Sequence, residues 1–336
     1  MRWLWQHLVW GLGLCLLTSC SSVQAAQPVA GSPLDGPALL RRIQDASLRR
    51  SFTGTFVVSA GSEMSSTRIT RYCDAQNQIE RIEVLDGQAR QIFRHNDTVH
   101  VLWPRSHQAL IQPREVVHQF PGAITPQAGN PLELYELQTS ALTDERVAGH
   151  DAQIVLLKPR DSLRFAQRWW LERQSGLLLR ADVLGEHGEV LESAAFSALE
   201  LGARIQPQSL LHEMNRLDGY KISRPQLQPT DLAREGWSLK TPVAGFQPVS
   251  CIRRPAAGPQ PEQEGMLQAI YSDGLTHVSI FIEPYLSGSA RPETQAAVGA
   301  THVLTRRLGD WWITAMGDVP PLTLRQFTQA LERRRP

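Results

Sequence analysis

The amino-acid sequence contains few groups whose types and spacing could perform catalysis. His212 and Glu213 begin like the helical zinc motif HExxH, but Arg216 stands where the second histidine ligand would have to be. The chain also lacks a GxSxG nucleophile elbow, a Walker loop and a GxGxxG loop after a predicted strand. We therefore predict a protein that is not an enzyme and uses neither a cofactor nor a metal ion.

Two segments combine arginine with adjacent tryptophans, Arg168–Trp170 and Arg306–Trp312. In each segment the adjacent tryptophans lie on a predicted strand, where successive side chains point to opposite faces. One tryptophan of each pair is therefore expected to enter a core, while the other faces outward or towards a neighbouring domain. Because tryptophan and arginine are frequent in binding hot spots, the second residue either forms part of a binding surface or merely covers an open sheet face.

Arginine pairs add positive charge to the second half of the chain. Their guanidinium groups would attract an acidic peptide or lipid phosphates, although each run taken alone fits a solvated face equally well. The predicted partner-binding residues are Arg253, Arg254, Arg306, Arg307, Trp311 and Trp312.

The first half of the chain suggests an apolar groove. A strongly bent antiparallel sheet with one covering helix could enclose such a groove, and exported proteins of this kind can carry acyl chains. The alternative is that the same side chains simply pack against the helices. The predicted lipid-groove residues are Phe56, Val58, Phe93, Trp103 and Trp169.

The N-terminus is predicted to be an export signal, because the apolar run Leu8–Leu17 is too short to span a bilayer as a helix. LTSC (Leu17–Cys20) resembles a lipobox with Cys20 as the acylated residue. Val23–Ala25 offers a rival signal-peptidase site. We favour cleavage after Ala25, so residues 1–25 form the signal peptide, and a lipoprotein anchored through Cys20 is the alternative.

Two cysteines remain in the mature chain, Cys73 and Cys251. They lie far apart in sequence and are predicted to belong to different domains. In an oxidising compartment they either pair as a disulfide or stay as two buried thiols. No CxxC spacing supports a redox or zinc role.

Element signals divide the rest of the chain into two β-rich units. Asp35 and Pro37 begin an amphipathic helix whose buried stripe is Leu39, Leu40, Ile43 and Ala46. Short strands with turns follow, and Asn130–Leu142 is predicted to be a second helix. The second unit contains hairpins that turn at Ser272–Leu275 and at Gly309-Asp310.

The last helix of the second unit is predicted to start with a capping box formed by Thr323 and Gln326. Leu324, Phe327 and Leu331 form its buried stripe. The length of 336 residues and the 42% hydrophobic composition suit about two domains with packed cores. We place the domains at residues 33–202 and 236–335, with a proline-rich linker at 203–235.

The formal net charge of +1 argues against a broad nucleic-acid footprint. Five stretches instead resemble the MucB/RseB family of periplasmic sigma-E (AlgU) regulators, in order along nearly the whole mature chain. These stretches are SFTGTFVVSAG (Ser51–Gly61), RWWLERQSGLLLRADVLGEHGEVLE (Arg168–Glu192), GFQPV (Gly245–Val249), YSDGLTHVSIFIEP (Tyr271–Pro284) and LGDWWITAMGDVPPLTLRQF (Leu308–Phe327).

The resemblance implies an α+β fold. Its N-terminal domain would be a curved antiparallel sheet with a helical plug, similar to LolA and LolB, and its C-terminal domain a smaller antiparallel-sheet α+β unit. The family's members bind the periplasmic part of a membrane anti-sigma factor of the RseA/MucA type. They shield it from site-1 proteolysis and release it on sensing lipid or lipopolysaccharide, so sigma-E is negatively regulated.

By this resemblance we expect a periplasmic protein whose partners are an anti-sigma factor and lipid or lipopolysaccharide fragments, with a homodimer as an open alternative. The six arginine and tryptophan residues are then the expected anti-sigma-binding residues. One departure is the LTSC motif, since the family usually carries an ordinary cleavable signal. The competing interpretation is a lipid or lipoprotein carrier of the LolA/LolB type.

Overall fold

The structure is a computed structural model that describes residues 35–114, 129–139, 145–254, 265–285 and 292–334. The predicted signal peptide, including Cys20, lies outside these residues. Within these ranges, no helix is both long enough and apolar enough to cross a bilayer.

Thirteen strands of the described residues form one large sheet. They are β1 (Phe52–Ala60), β2 (Glu63–Cys73), β3 (Gln78–Val84), β4 (Arg90–His95), β5 (Thr98–Trp103), β6 (Gln108–Pro113), β7 (Tyr135–Thr139), β8 (Glu145–Val147), β9 (His150–Pro159), β10 (Ala166–Glu172), β11 (Leu178–Leu184), β12 (Val190–Leu201) and β13 (Lys221–Ser223). Their spatial order is β13-β6-β5-β4-β3-β2-β1-β12-β11-β10-β9-β7, and β8 pairs with β9.

Neighbouring strands of this sheet run antiparallel, except that β13 pairs with β6 in parallel. Register shifts interrupt three pairings, for example between Thr55 and Phe56 in β1 and between Trp170 and Leu171 in β10. Such bulges bend a strand and increase its twist. The predicted large, bent antiparallel sheet is therefore confirmed.

One helix, α1 (Gly36–Arg49), covers part of this sheet. The Asp35 side chain accepts a hydrogen bond from the backbone N–H of Ala38, and Pro37 stands in the first turn. This is the predicted helix start, and the predicted stripe of Leu39, Leu40, Ile43 and Ala46 is buried.

Within the described residues 130–139, the predicted helix over Asn130–Leu142 is wrong beyond its first turn. Asn130 caps a single turn, α2 (Pro131–Leu134), and the chain then continues as β7. Tyr135 is buried under α1, and β7 pairs with β9 along its whole length. Backbone pairing with a strand from elsewhere in the chain therefore overrode the helical start signal.

The segment expected to be a linker contains regular structure. Helix α3 (Pro207–Asn215) packs Met214 against Phe93 and Leu102 of the large sheet. Strand β13 then extends the sheet edge. Most of residues 203–223 therefore pack on the large sheet.

A second, seven-stranded sheet follows. The remaining strands form this sheet and a separate two-stranded pair. They are β14 (Gln228–Pro229), β15 (Trp237–Leu239), β16 (Gln247–Arg254), β17 (Met266–Ser272), β18 (His277–Pro284), β19 (Thr294–Val298), β20 (Thr301–Leu308), β21 (Trp311–Gly317) and β22 (Leu331–Arg333). The spatial order is β14-β16-β17-β18-β21-β20-β19, and β15 pairs with β22. Both predicted hairpins are present, with Gly274 and Gly309 at positive φ in their turns.

Helix α4 (Pro321–Ala330) covers one face of this second sheet, with Leu324 and Phe327 in its core. The predicted capping box is wrong. Pro320 occupies the cap position and Pro321 starts the helix, which places Thr323 inside the first turn. The Thr323 hydroxyl instead donates to the backbone oxygen of Leu163, at 2.7 Å. Leu331 is buried as predicted, but in β22.

Candidate functional site

The two tryptophans of the Arg306–Trp312 segment lie on opposite faces of the second sheet. Trp311 packs edge-to-face against Trp237, with 5.5 Å between ring centroids, and the Arg333 guanidinium lies 4.7 Å from its ring. Trp311 thus completes the core beneath α4. We refer to this side of the second sheet as the helix face and to the other side as the open face.

Trp312 lies on the open face. It is only 4% exposed, yet its indole Nε1 is buried without a hydrogen-bond partner. Its ring lies 5.9 Å from that of Tyr285, and the Arg307 guanidinium lies 3.9 Å from the Tyr285 centroid. Trp312 and Arg307 are also directly paired across β20 and β21. These three side chains form one aromatic-basic cluster on the open face.

The six predicted partner-binding residues divide between the two faces. Arg253, Arg306 and Trp311 pair with or pack among helix-face residues, while Arg254, Arg307 and Trp312 belong to the open face. Strand alternation explains the division, because each predicted pair consists of sequence neighbours. The structure therefore brings together one member of each pair rather than all six.

The surroundings of the arginines differ as well. Arg253 forms an ion pair with Glu235, and the glutamate side chain is the more buried of the two. Arg254 donates to Gln268 at 2.8 Å and lines an open-face cleft of about 500 Å³ that also contains Phe281 and Met316. Arg254 is thus placed where a ligand would meet apolar side chains and a cation together.

The other tryptophan pair differs from its prediction. Trp169 and Trp170 do point to opposite faces of the large sheet, but both are buried. Trp169 packs in the core beneath α1, and Trp170 packs with Leu179 on the opposite side, where the Arg180 guanidinium lies 4.4 Å from its ring. Neither tryptophan is left for a partner.

The five predicted lipid-groove residues are not brought together. Phe56 and Val58 pack in one apolar cluster with Ala46 of α1, and Trp169 belongs to a second cluster under the same helix. Phe93 packs against α3 on the other face of the sheet. Trp103 is partly exposed at the end of β5.

A buried ion pair that sequence patterns did not predict joins the two sheets. Arg164 Nε donates to Asp273 Oδ2 at 2.7 Å, and the Tyr135 hydroxyl donates to the same oxygen at 3.0 Å. The other oxygen, Oδ1, accepts the backbone N–H groups of Leu275 and Thr276. Burial, reinforced by the Asp273 carboxylate, raises the pKa of Tyr135 well above its ordinary value. The only indication of this contact in the sequence was Asp273, in the predicted turn Ser272–Leu275.

A second contact between the sheets involves two carboxylates, Glu192 of β12 and Asp318 after β21. Burial, followed by the charge of Asp318, raises the pKa of Glu192 to about 7, although the Ala300 backbone N–H donates to it. Asp318 itself accepts a 2.6 Å hydrogen bond from the Thr301 hydroxyl. This junction is therefore sensitive to protonation.

Metal-ligating side chains and thiols are the remaining candidates for chemistry among the described residues. In the part of the chain that the structure describes, no group of three or more histidine, cysteine, aspartate or glutamate side chains is arranged to hold a metal ion. Cys73 and Cys251 are free thiols, and each is partly rather than fully buried. Burial raises the pKa of Cys251 to about 11, so little of this thiol is ionised at neutral pH.

Sequence comparisons agree with this two-sheet organisation. The MucB/RseB N-terminal domain matches residues 35–214, and the MucB/RseB C-terminal domain matches residues 231–332. The sigma factor AlgU regulatory protein MucB of Pseudomonas aeruginosa is 28% identical over 327 residues, which cover 91% of this chain and 92% of that protein. The sigma-E factor regulatory protein RseB of Escherichia coli K12 is 23% identical over 336 residues, covering 99% and 98%.

Solved structures share the fold. The Pseudomonas aeruginosa MucA/MucB complex aligns with a TM-score of 0.69 and 24% identity, covering 90% of this chain and all of that one. A crystal structure of MucB in complex with MucA(peri) aligns with a TM-score of 0.65, 24% identity and the same coverage. Because the domain matches together span most of the chain, in the order of the two sheets, this protein belongs to the MucB/RseB family.

Proposed function

We propose that this protein is a non-enzymatic periplasmic regulator that binds the periplasmic part of a membrane anti-sigma factor of the RseA/MucA type. The observation that carries the proposal is the match of both family domains, in order, to one chain. Relatives that cover more than nine-tenths of the chain are named regulators of AlgU or sigma-E. A structural neighbour of the same fold is a complex with MucA.

In this proposal, the bound protein shields the anti-sigma factor from site-1 proteolysis and so keeps sigma-E inactive. Lipid or lipopolysaccharide binding releases the anti-sigma factor. The contact between the two sheets supports such a linkage, because Tyr135 packs under α1 while its hydroxyl bonds to Asp273 of the second sheet. A ligand that displaces α1 would therefore disturb Tyr135 and, through its hydrogen bond, Asp273 of the second sheet.

We assign the anti-sigma contact to the open face of the second sheet. Arg307, Tyr285 and Trp312 cluster there, and Arg254 lines the neighbouring cleft. The Arg307 and Arg254 cations, next to the Tyr285 ring and the apolar side chains of the cleft, would suit a peptide with apolar and acidic residues. Trp312 is 4% exposed and supports Tyr285 from within the cluster. Of the helix-face members, Trp311 packs against the core and Arg253 forms an ion pair with Glu235.

The proposal is tested by calorimetric titration of the mature protein with the periplasmic segment of its host's anti-sigma factor. Saturable one-site binding, weakened by added lipopolysaccharide or acylated fragments, is the expected result. A site-1 protease assay on the same segment should show slower cleavage when the protein is bound. A folded protein that leaves both the titration and the cleavage rate unchanged would contradict the proposal.

The competing function is carriage of lipids or lipoproteins. It is favoured by a row of partly exposed apolar side chains on the α1 face of the large sheet, formed by Ile82, Ile92, Val101 and Leu110. Transfer of a labelled lipoprotein to acceptor membranes distinguishes the two functions, because a regulator binds lipid without delivering it.

A further inference from the structure

Two rows of side chains cross the large sheet side by side on the face that α1 covers. Arg71, Glu80 and Arg94 are directly paired across β2, β3 and β4 and form a charged row. The face is fixed by Phe52, which pairs with Arg71 and packs against Ala46 of α1. Paired residues of antiparallel strands share a face.

The adjacent row, two residues further along each strand, is apolar. Ile82, Ile92, Val101 and Leu110 are paired in succession across β3 to β6, and all four are partly exposed. Residues two apart in a strand lie about 6–7 Å from each other. A chain that lies along the apolar row would therefore have its end within reach of the charged row.

Charges in the first row are buried and unbalanced. Glu80 and Arg71 are each 6% exposed and Arg94 is 8% exposed. Arg94 Nη1 donates to Glu80 Oε2 at 2.8 Å, while Arg71 Nη1 stands 3.8 Å from Oε1. Burial opposes ionisation of Glu80, yet the two arginines lower its pKa below the ordinary value. Glu80 is therefore ionised and neutralises one of the two cations.

A third cation adds to this excess. The Arg114 guanidinium, at the end of β6, interacts electrostatically with Glu80, Arg94 and Arg71, and burial together with the two arginines lowers its pKa. Asp97 is a further attractive charge near Arg114. The described residues offer the Arg114 guanidinium no hydrogen bond or ion pair, and Arg94 Nε is buried without a partner.

Unpartnered guanidinium N–H groups around one carboxylate are costly, because a buried charge needs both a counter-charge and hydrogen bonds. Phosphate and carboxylate oxygens satisfy both needs, since guanidinium binds them with paired hydrogen bonds. The neighbouring apolar row favours an anion that is attached to a hydrocarbon chain, because such a chain would cover its exposed carbon surface.

We propose that Arg71, Arg94 and Arg114 form the head-group site for an anionic amphiphile whose hydrocarbon chain lies along the row Ile82, Ile92, Val101 and Leu110. This inference rests on the lipid-sensing part of the proposed function. It specifies the chemical class of the ligand, a phosphate or carboxylate head group on an acyl-like chain. The site requires charge, so neutral amphiphiles bind more weakly.

The test uses the mature protein and titrates it with dodecyl phosphate, dodecyl maltoside and inorganic phosphate, each below its micelle concentration where one exists. We expect dodecyl phosphate to bind at least about tenfold more tightly than dodecyl maltoside, as one charge-assisted contact implies. Tight binding of dodecyl phosphate with weak binding of inorganic phosphate supports a lipid source. If inorganic phosphate binds as tightly as dodecyl phosphate, the apolar row contributes nothing to binding, and the proposed position of the hydrocarbon chain is wrong.

Two variants separate a binding role from a structural one. Arg114→Gln should weaken dodecyl phosphate about tenfold and leave dodecyl maltoside unchanged, because its guanidinium forms no hydrogen bond or close ion pair with a described residue. Glu80→Gln should strengthen dodecyl phosphate, since it removes the carboxylate that competes for the arginines. Arg105→Gln, which removes an exposed arginine just beyond β5, is the matched control and should change nothing.

Equal affinity for the charged and neutral amphiphiles overturns the proposal, as does an Arg114→Gln protein that binds dodecyl phosphate like the wild type. Titration of the same proteins with the anti-sigma segment, without amphiphile, keeps the two proposals apart. A wild-type protein that binds dodecyl phosphate but no anti-sigma segment refutes the regulatory function and supports the site. A wild-type protein that binds the anti-sigma segment but not dodecyl phosphate refutes only the head-group site.

Discussion

Arg164 and Asp273 form an ion pair that ties the large sheet to the second sheet, and neither side chain is exposed to solvent. Arg164 lies between β9 and β10, and Asp273 lies in the turn between β17 and β18. The second guanidinium edge donates to the Ala244 backbone oxygen at 2.7 Å. A junction built from a fully bonded ion pair specifies one arrangement of its groups, because any shift leaves a buried charge unpaired.

Removing one member of this pair should destabilise the fold strongly. We expect Asp273→Asn to lower the free energy of unfolding by at most about 3–5 kcal/mol, since Arg164 then keeps only the partly exposed Asp161 as a counter-charge. Urea unfolding measures the change, and Asp310→Asn in the exposed β20–β21 turn is the control. In the double variant with Arg164→Met, the loss should be smaller than the sum of the two single losses. Additive losses would show that the pair does not act as a unit.

Stability should depend on pH through Glu192. Its pKa is raised to about 7 from an ordinary value of 4.5, so between these pH values the folded protein holds a proton that the unfolded chain has lost. Raising the pH through this window therefore lowers stability, and the effect is complete above about pH 7. We expect Glu192→Gln to unfold at higher urea concentration than the wild type at pH 8 and to show a weaker pH dependence between pH 5 and 7.

The charges that face Glu192 determine this prediction. Asp318 repels it, and the Ala300 N–H is its hydrogen-bond donor. Glu200→Gln changes an exposed glutamate of the same strand and should keep the wild-type pH profile. If Glu192→Gln follows the wild type at every pH, the Glu192–Asp318 contact has no part in stability.

The Thr323 hydroxyl should matter through its distant partner rather than as a helix cap. Thr323→Val removes the 2.7 Å bond to the buried Leu163 oxygen and is expected to cost about 1–3 kcal/mol. Thr328→Val removes only a bond to Arg325 within α4 and should cost less. Thermal unfolding of both variants distinguishes the roles, and equal losses would contradict the structural assignment.

The two arginines of β20 should affect anti-sigma binding differently. Arg307→Glu places a negative charge beside Tyr285 on the open face, and we expect it to weaken binding at least about tenfold. Arg306→Glu changes the neighbouring residue on the helix face and should weaken binding far less. The comparison is made by calorimetry with the anti-sigma segment. Equal effects of the two substitutions would contradict the assignment of the anti-sigma contact to the open face.

Local signals in the sequence predicted much of the fold. Asp35 and Pro37 marked the start of α1, and the Asp273-Gly274 and Gly309-Asp310 turns marked two hairpins, because caps and positive-φ turns depend on adjacent residues. The same signals failed where distant partners intervened. Asn130 does cap a helix, but pairing of β7 with β9 ends it after one turn.

The division of the partner-binding residues shows the same limit. Alternation along a strand correctly placed Trp311 and Trp312 on opposite faces. It could not show which face α4 would cover, since that depends on packing between elements far apart in the chain. Nor could it show that Trp170 would be buried as well as its neighbour Trp169.

The sequence by itself determined the family, the two β-rich units and most turn and cap positions, because these follow from short motifs and from side-chain period. Only the tertiary structure decided which charges meet. Arg71, Glu80 and Arg94 come from three strands, and Arg164 and Asp273 from two sheets. Their interactions arise from strand register and sheet contact, which no local stretch of sequence encodes.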